Sequence, residues 1–304
     1  MDPHENSSYT QEQGARDEKK VAAPKRPFVS AALPVALTIA GLDPSGGAGI
    51  IADLKTFTAF GCFATAAVTS LTFQNTVGVF GAAHQSGAIV RAQILPIIED
   101  FQVAGAKTGM LPTRDVIAEV ARLFRETGLP APVVDPVVRS TSGYDLIDDE
   151  ALAALVTELL PLARVVTPNL AEAERITGMR VADEKDLRHA ARALRDMGAR
   201  AVLVKGGHLA GRALDLLDDE GRVTLFDEER LETKATHGTG CTLAAAIAAG
   251  LARGADLETA VRAAKMFVTE AIRRAPRLGR GASPINHGIP APVDALNGGR
   301  KEEA

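Results

Sequence analysis

Cys241 follows two glycines in the run His237-Gly238-Thr239-Gly240-Cys241, and small residues occupy most of the next nine positions. Glycines permit a tight turn whose N–H groups point at one spot, and a helix opening behind them adds the positive end of its dipole. Gly238, Thr239 and Gly240 therefore suit an anion. A helix N-terminus lowers the pKa of a thiol, which places Cys241 beside any phosphate or developing oxyanion that the amides hold. The same run also fits a glycine-lined loop before a buried alanine-rich helix, with Cys241 a small core residue.

Other polar residues carry chemistry of a matching kind. Gly41-Leu42-Asp43-Pro44-Ser45-Gly46-Gly47-Ala48-Gly49 lets backbone approach a ligand closely, and Asp43 or Asp53 could hold a hydroxyl or an amine. The run is neither a GxGxxG fingerprint nor a Walker A sequence, because no Gly-Lys-Ser/Thr triplet closes it. Asp135 places a carboxylate in Val134-Asp135-Pro136-Val137, and Asn169 precedes Glu172 by three residues. Such oxygens suit a hydrated Mg²⁺ carrying nucleotide phosphates, while the spacing of Asn169 and Glu172 equally fits a helix capping box. Lys205, before Gly206-Gly207-His208, offers a phosphate a cation beside flexible backbone, or forms a solvated turn.

The elements that must position these groups alternate. Short β-branched runs at 35–40, 64–70, 76–80, 105–108, 132–138, 164–167, 201–205 and 222–226 read as strands. Stretches of helical period lie at 47–60, 89–101, 114–126, 149–159, 170–177, 184–197, 240–252 and 257–273. That alternation predicts a mainly parallel sheet covered by helices on both faces. Asp43, Lys107, Asp135, Asn169, Lys205 and Cys241 then all fall at the carboxyl edge of the sheet, where open α/β sheets bind ligands, although Asn and Asp there are also ordinary helix caps.

Composition narrows the class further. The 304 residues are 46% hydrophobic with a formal net charge of −4, enough for one sizeable core and without attraction for nucleic acid or anionic membrane. Aromatics at 4% leave no basic, aromatic-interleaved patch. Only Cys62 and Cys241 occur, in no CxxC spacing, which fits a reducing cytoplasm. Residues 1–33 are polar and Pro-punctuated, and read as a disordered leader before a domain of residues 34–290 and a polar tail at 291–304. Lys25-Arg26 before an apolar run imitates a secretion signal, but the polar stretch ahead of it and Pro34 argue against one, and no transmembrane span is expected.

Taken together, the blocks LTIAGLDPSGGAGIIADLKTF (37–57), TSLTFQNTVGV (69–79), KTGML (107–111), VVDPVV (133–138), TPNLAEAE (167–174), VKGGH (204–208), THGTGCTLAAAIAAGL (236–251) and SPINH (283–287) resemble one family. It is the hydroxymethylpyrimidine/phosphomethylpyrimidine kinases of thiamine biosynthesis, members of the ribokinase-like superfamily, and the likeness covers about residues 36–287. The resemblance implies a three-layer α/β/α ribokinase-like fold with a mostly parallel central sheet, ATP with Mg²⁺, phosphoryl transfer to the hydroxymethyl group of a pyrimidine and to its monophosphate, and a homodimer. On the family pattern Gln74 reads the aminopyrimidine edge, with Gly41, Asp43, Asp53, Met110 and Val137 on the substrate side. Gly238, Thr239 and Gly240 supply the anion hole, and Cys241 takes the place of the catalytic Asp of sugar kinases. Lys205, Asn169, Asp135 and Thr236 fall around the nucleotide, and Glu172 with Asp135 around the metal.

The residues agree chemically with these roles, since the Gln74 amide presents one donor and one acceptor, as a ring nitrogen beside an exocyclic amine requires. The chain departs from the family where many members carry a Lys, at Thr141 in Arg139-Ser140-Thr141-Ser142-Gly143, a position that Arg139 could compensate. Two rival readings are a pyridoxal/pyridoxine kinase, against which Gln74 argues, and a non-catalytic pyrimidine-binding regulatory protein, which would not need an oxyanion hole.

Overall fold

The structure, a computed structural model, describes residues 33–139, 145–207, 213–228 and 230–297. Most of the leader, residues 140–143 with Thr141, His208 and the end of the tail lie outside the described residues. Nine strands form one sheet in the order β3-β2-β1-β4-β5-β6-β7-β8-β9. The six central strands, β2 (Phe63–Gln74), β1 (Val35–Leu42), β4 (Val103–Thr108), β5 (Val133–Val134), β6 (Val165–Val166) and β7 (Ala201–Val204), run parallel. Antiparallel pairs close both edges: β2 with β3 (Val79–His84) on one side, and β7, β8 (Ala213–Asp219) and β9 (Arg222–Glu228) on the other.

Central strands such as β1 are near-continuous apolar runs because both of their faces are covered. On one face lie α1 (Gly49–Ala59), α7 (Thr239–Ala252) and α8 (Leu257–Arg273), packing Phe57, Phe60, Ile247 and Phe267 against the sheet. On the other lie α2 (Gly87–Asp100), α3 (Arg114–Glu126), α4 (Asp149–Ala154), α5 (Leu170–Thr177) and α6 (Glu184–Asp196), contributing Ile94, Ile117, Leu123 and Leu187. This is the three-layer α/β/α arrangement expected from the alternation. After β1 the chain pairs β2 on one side and β4 on the other. The crevice at the β1/β4 carboxyl ends is thus the switch point where such sheets take ligands.

Three differences from the expected strands have physical causes. β5 stops at Val134 rather than 138, because the chain turns at Asp135, where Val137 N–H reaches back to its carbonyl at 2.8 Å, and Pro136 lacks a ladder donor. The strand expected at 76–80 begins at Val79 instead. Residues 75–78 form the hairpin turn, with Asn75 Oδ1 accepting Val77 N–H at 2.8 Å. β8 is absent from the expected set, since its buried Asp215 and Asp218 break an apolar pattern. The fold accommodates them with Lys265 at 2.6 Å and Arg195 at 3.0 Å. Residues 293–297, within the segment expected as a tail, form a short 3₁₀ turn that buries Leu296 against the α7/α8 layer.

Candidate active site

Six helices carry a side-chain N-cap, from Ser86, Thr113, Asp148, Asn169, Asp183 and Asp256. The exceptions, α1 and α7, begin at the switch point, where Ala48 and Gly238 occupy the cap positions without a side-chain bond to the helix. Gly238 adopts φ +83°, and a Cβ there would overlap the carbonyl of Gly47, so only glycine closes this turn. Thr239 N–H turns back to the Thr236 carbonyl at 3.4 Å, while those of Gly240 and Cys241 are left for a ligand. Lys205 Nζ stands 3.2 Å from where a Gly240 Cβ would lie, adding an ammonium to the same spot. Thr239, Gly240 and Cys241 are partly accessible, and exposed Thr236 receives the Thr239 hydroxyl on its carbonyl at 3.1 Å.

Lys205 lies between two buried carboxylates, 3.3 Å from Asp135 Oδ1 and 4.0 Å from Glu172 Oε2. Burial works to lower its pKa, but these two neighbours outweigh that and raise it. Asn169 and Glu172 form a complete capping box at 2.8 and 2.9 Å, so the capping arrangement is present. It does not exhaust Glu172, whose pKa is pushed up to about 7 by burial and, in smaller part, by Asp135. Two buried carboxylates that share one ammonium form a donor set that suits a divalent cation. No group of three or more His, Cys, Asp or Glu able to hold a metal alone occurs among the described residues. Asp135 and Glu172 thus fit a Mg²⁺ that arrives with nucleotide phosphates and water as its remaining ligands.

Burial pushes the Cys241 thiol up to about 12, against the lowering expected from a helix N-terminus. Lys107 and a hydrogen bond from Gly49 N–H oppose this without reversing it, while Asp135 and Asp53 reinforce it. Cys241 is a neutral thiol at pH 7 in this form. Behind it Lys107 is sealed, with its ammonium 2.7 Å from Asp53 Oδ2, which also accepts the Thr38 hydroxyl at 2.6 Å.

On the substrate side, Gln74 ends β2 half-buried, and its amide has no hydrogen-bond partner among the described residues. Met110 is buried with its sulfur 3.0 Å from the Cβ position of Gly41, so the two form one floor; Val137 is half-buried beyond β5. Asp43 and Asp53, expected to touch a substrate hydroxyl or amine, both have partners within the protein. Both Asp43 oxygens are occupied: Oδ1 accepts Ser45 N–H and Oγ, and Oδ2 accepts Ala48 N–H and pairs with His237 Nε2 at 2.8 Å. Burial works to raise the Asp43 carboxyl, yet these bonds, His237 foremost, hold it below its usual range. Asp53 is wholly buried with Lys107. Both carboxylates brace the site from behind. His237 gave no signal of its partner in the sequence, because Asp43 lies 194 residues away. Arg139, expected as compensation for the missing cation at 141, is exposed and paired with Asp145 at 2.8 Å.

Comparison with known proteins agrees with this geometry. The phosphomethylpyrimidine kinase family model matches residues 43–286. The hydroxymethylpyrimidine/phosphomethylpyrimidine kinase of Streptomyces coelicolor is 49% identical over 255 residues, covering 84% of this chain and 94% of its own. Among solved structures, an ADP complex of Bacillus subtilis pyridoxal kinase superposes with a TM-score of 0.78 at 37% identity, covering 84% of this chain and 98% of that one. The phosphomethylpyrimidine kinase of Clostridium difficile 630 does so with a TM-score of 0.71 at 39% identity, covering 79% and 100%. No described helix is long and apolar enough to cross a membrane. With an uncapped helix N-terminus, an adjacent lysine and two metal-suited carboxylates at the sheet's switch point, this chain belongs to the phosphomethylpyrimidine kinase family and is a phosphotransferase.

Proposed function

We propose that the chain transfers the γ-phosphoryl group of ATP to the hydroxymethyl oxygen of 4-amino-5-hydroxymethyl-2-methylpyrimidine, and then a second phosphoryl group to that product, in thiamine biosynthesis. The observation that carries this is the presence, on one sheet edge, of the Gly240 and Cys241 amides of α7 under Lys205 and of a Gln74 amide without a hydrogen-bond partner among the described residues. The first set suits migrating phosphoryl charge; the second suits an aminopyrimidine edge.

The alcohol oxygen forms the new bond to phosphorus as the bridging bond to the β-phosphate breaks and ADP leaves, and the alcohol proton passes, once that oxygen is bonded, through a non-bridging oxygen of the transferred group to water. In a loose transition state the barrier is lowered mainly by positioning and charge stabilisation. Gly238, Gly240 and Cys241 direct their N–H groups at the developing charge, Thr239 shapes the turn between them, Lys205 neutralises phosphate, and Met110 with Gly41 supports the ring. Mg²⁺, when bound, neutralises the phosphates, and Asp135 and Glu172 are the residues that would hold it. With its thiol pKa pushed to about 12, Cys241 lines the hole as a neutral group instead of taking the proton. Asn169 fixes the α5 entry, and Thr236 the entry to α7.

We further read the chain as a cytoplasmic homodimer. Leu71, Phe73 and Phe80 of the β2/β3 hairpin are 42%, 54% and 69% exposed, which is apolar surface suited to a second copy. ATP consumption with hydroxymethylpyrimidine, its monophosphate, pyridoxal, pyridoxine and a sugar tests the assignment. The first two are expected to turn over fastest, and a preference for pyridoxal would overturn it.

A further inference from the structure

Residues 277–284, between α8 and the end of the domain, belong to no regular element, yet they touch both halves of the site. At one end they receive the turn of the β2/β3 hairpin. Ala282 N–H donates to the Thr76 carbonyl at 2.9 Å, and Gly281 N–H donates to Thr76 Oγ1 at 3.3 Å. The seating is close enough to exclude side chains: a Cβ on Gly281 would overlap the Thr76 carbonyl, and one on Gly279 would overlap the Thr76 hydroxyl. At the other end, His237 N–H donates to the Ser283 carbonyl at 3.3 Å and His237 pairs in parallel register with Pro284. The segment is also held in shape. Leu278 N–H donates to Ser283 Oγ at 3.0 Å, and Arg277 adopts φ +52°, a left-handed conformation rare outside glycine.

Thr76 lies two residues beyond Gln74, and His237 immediately precedes Gly238. The segment therefore spans, by direct contacts, from the group read here as recognising the ring to the first glycine of the anion hole. His237 in turn holds Asp43, which ties the loop after β1 to the same frame. A second route runs through one strand, from the Thr72 hydroxyl to the Leu42 carbonyl at 2.9 Å and on through Asp43 to His237, but of the two only the segment 277–284 grips the hairpin turn beyond Gln74.

We propose that residues 277–284 are a strap that sets the spacing between Gln74 and the anion hole, with Thr76 and Gly281 as positioning residues for phosphoryl transfer. The inference rests on the reading that Gln74 contacts the substrate ring. Transfer needs the alcohol oxygen and the phosphorus aligned, and a misplacement of about 1 Å costs roughly 100-fold in rate. A Cβ at residue 281 forces the hairpin turn and the strap apart by a displacement of that order, without touching either substrate.

The test combines kinetics with hydrogen exchange. Gly281→Ala is expected to lower kcat for hydroxymethylpyrimidine by about 100-fold while leaving KM for ATP within about twofold. In the unaltered protein, saturating hydroxymethylpyrimidine without nucleotide is expected to slow amide exchange at 237–241 as well as at 72–76, and Gly281→Ala is expected to lose the first effect and keep the second. Should that variant fold poorly, Thr76→Val is expected to lose the 237–241 protection and Thr76→Ser to retain it. Unchanged kcat in Gly281→Ala, or protection of 237–241 that survives both Gly281→Ala and Thr76→Val, overturns the strap. A Gln74→Ala variant with normal KM for the pyrimidine would instead overturn the ring assignment, and exchange at 237–241 still reports on the strap.

Discussion

Lys107 and Lys205 both stand at the carboxyl end of a central parallel strand, and both pair with an aspartate, yet the fold treats them oppositely. Lys107 is sealed from solvent with one carboxylate at 2.7 Å, in a bond further fixed by Thr38. Lys205 keeps 15% of its side chain exposed and lies 3.3 and 4.0 Å from two carboxylates. A dry, short pair is out of a ligand's reach, even though Asp53 Oδ1 has no hydrogen-bond partner among the described residues. A looser ammonium between two partners can move onto a phosphate while a metal replaces it among the carboxylates. The difference teaches that access to solvent, and not charge or a paired carboxylate, separates a lysine suited to a nucleotide from a structural one.

Removing each lysine should break the comparison if it is wrong. Lys107→Met leaves Asp53 buried without a counter-charge, with only the Thr38 hydroxyl on it, and urea denaturation should show a loss of about 3–5 kcal/mol, partly recovered when Asp53→Asn is added. A single variant as stable as the parent would mean that the pair is not structural. Lys205→Met should instead cost about 3 kcal/mol in transition-state stabilisation, read as a fall of roughly 100-fold or more in kcat/KM for ATP. Its urea midpoint should move much less than that of Lys107→Met, and the reverse pattern would exchange the two roles.

Cys241 lies under the influence of Lys107, and its reactivity sharpens the contrast. Because burial raises the thiol to about 12, thiolate is scarce at pH 7 and accumulates only as pH rises toward that value. Iodoacetamide should therefore label Cys241 in the nucleotide-free protein at least ~10-fold more slowly than an unperturbed thiol, whose pKa is about 8.5. Lys107→Met should slow labelling further, since the cation that favours thiolate is gone. Fast labelling at pH 7 would restore the expectation of an activated thiol.

The smallest effect concerns Glu172. Glu172→Gln keeps the N3 side chain able to cap α5 but removes a charge beside Lys205. The Mg²⁺ concentration for half-maximal activity should rise several-fold, and an unchanged titration would leave capping as the whole role of Glu172.

Much of the site was legible because its signals are local. Gly238 and Gly240 before an alanine-rich run announce a turn and a helix, and α3 and α5 occupy the expected residues because Thr113 and Asn169 sit at their caps. Asn169 and Glu172 show the limit of such signals: their spacing fitted capping or metal, the capping box is present, and it is Asp135 and Lys205, brought beside Glu172 by the fold, that support the proposed second role. β8 escaped because a strand with two inward aspartates reads as solvated until Lys265 and Arg195 arrive from distant helices.

The sequence by itself determined the alternation of strand and helix, the glycine turn before Cys241 and the family, since each rests on residue types at short spacing or on ordered blocks. Tertiary structure alone decided which lysine is sealed, that Asp43 pairs with His237, and that the thiol is raised instead of lowered. The physical reason is that burial and long-range pairing set the energy of a charge, and neither is written in the residues next to it.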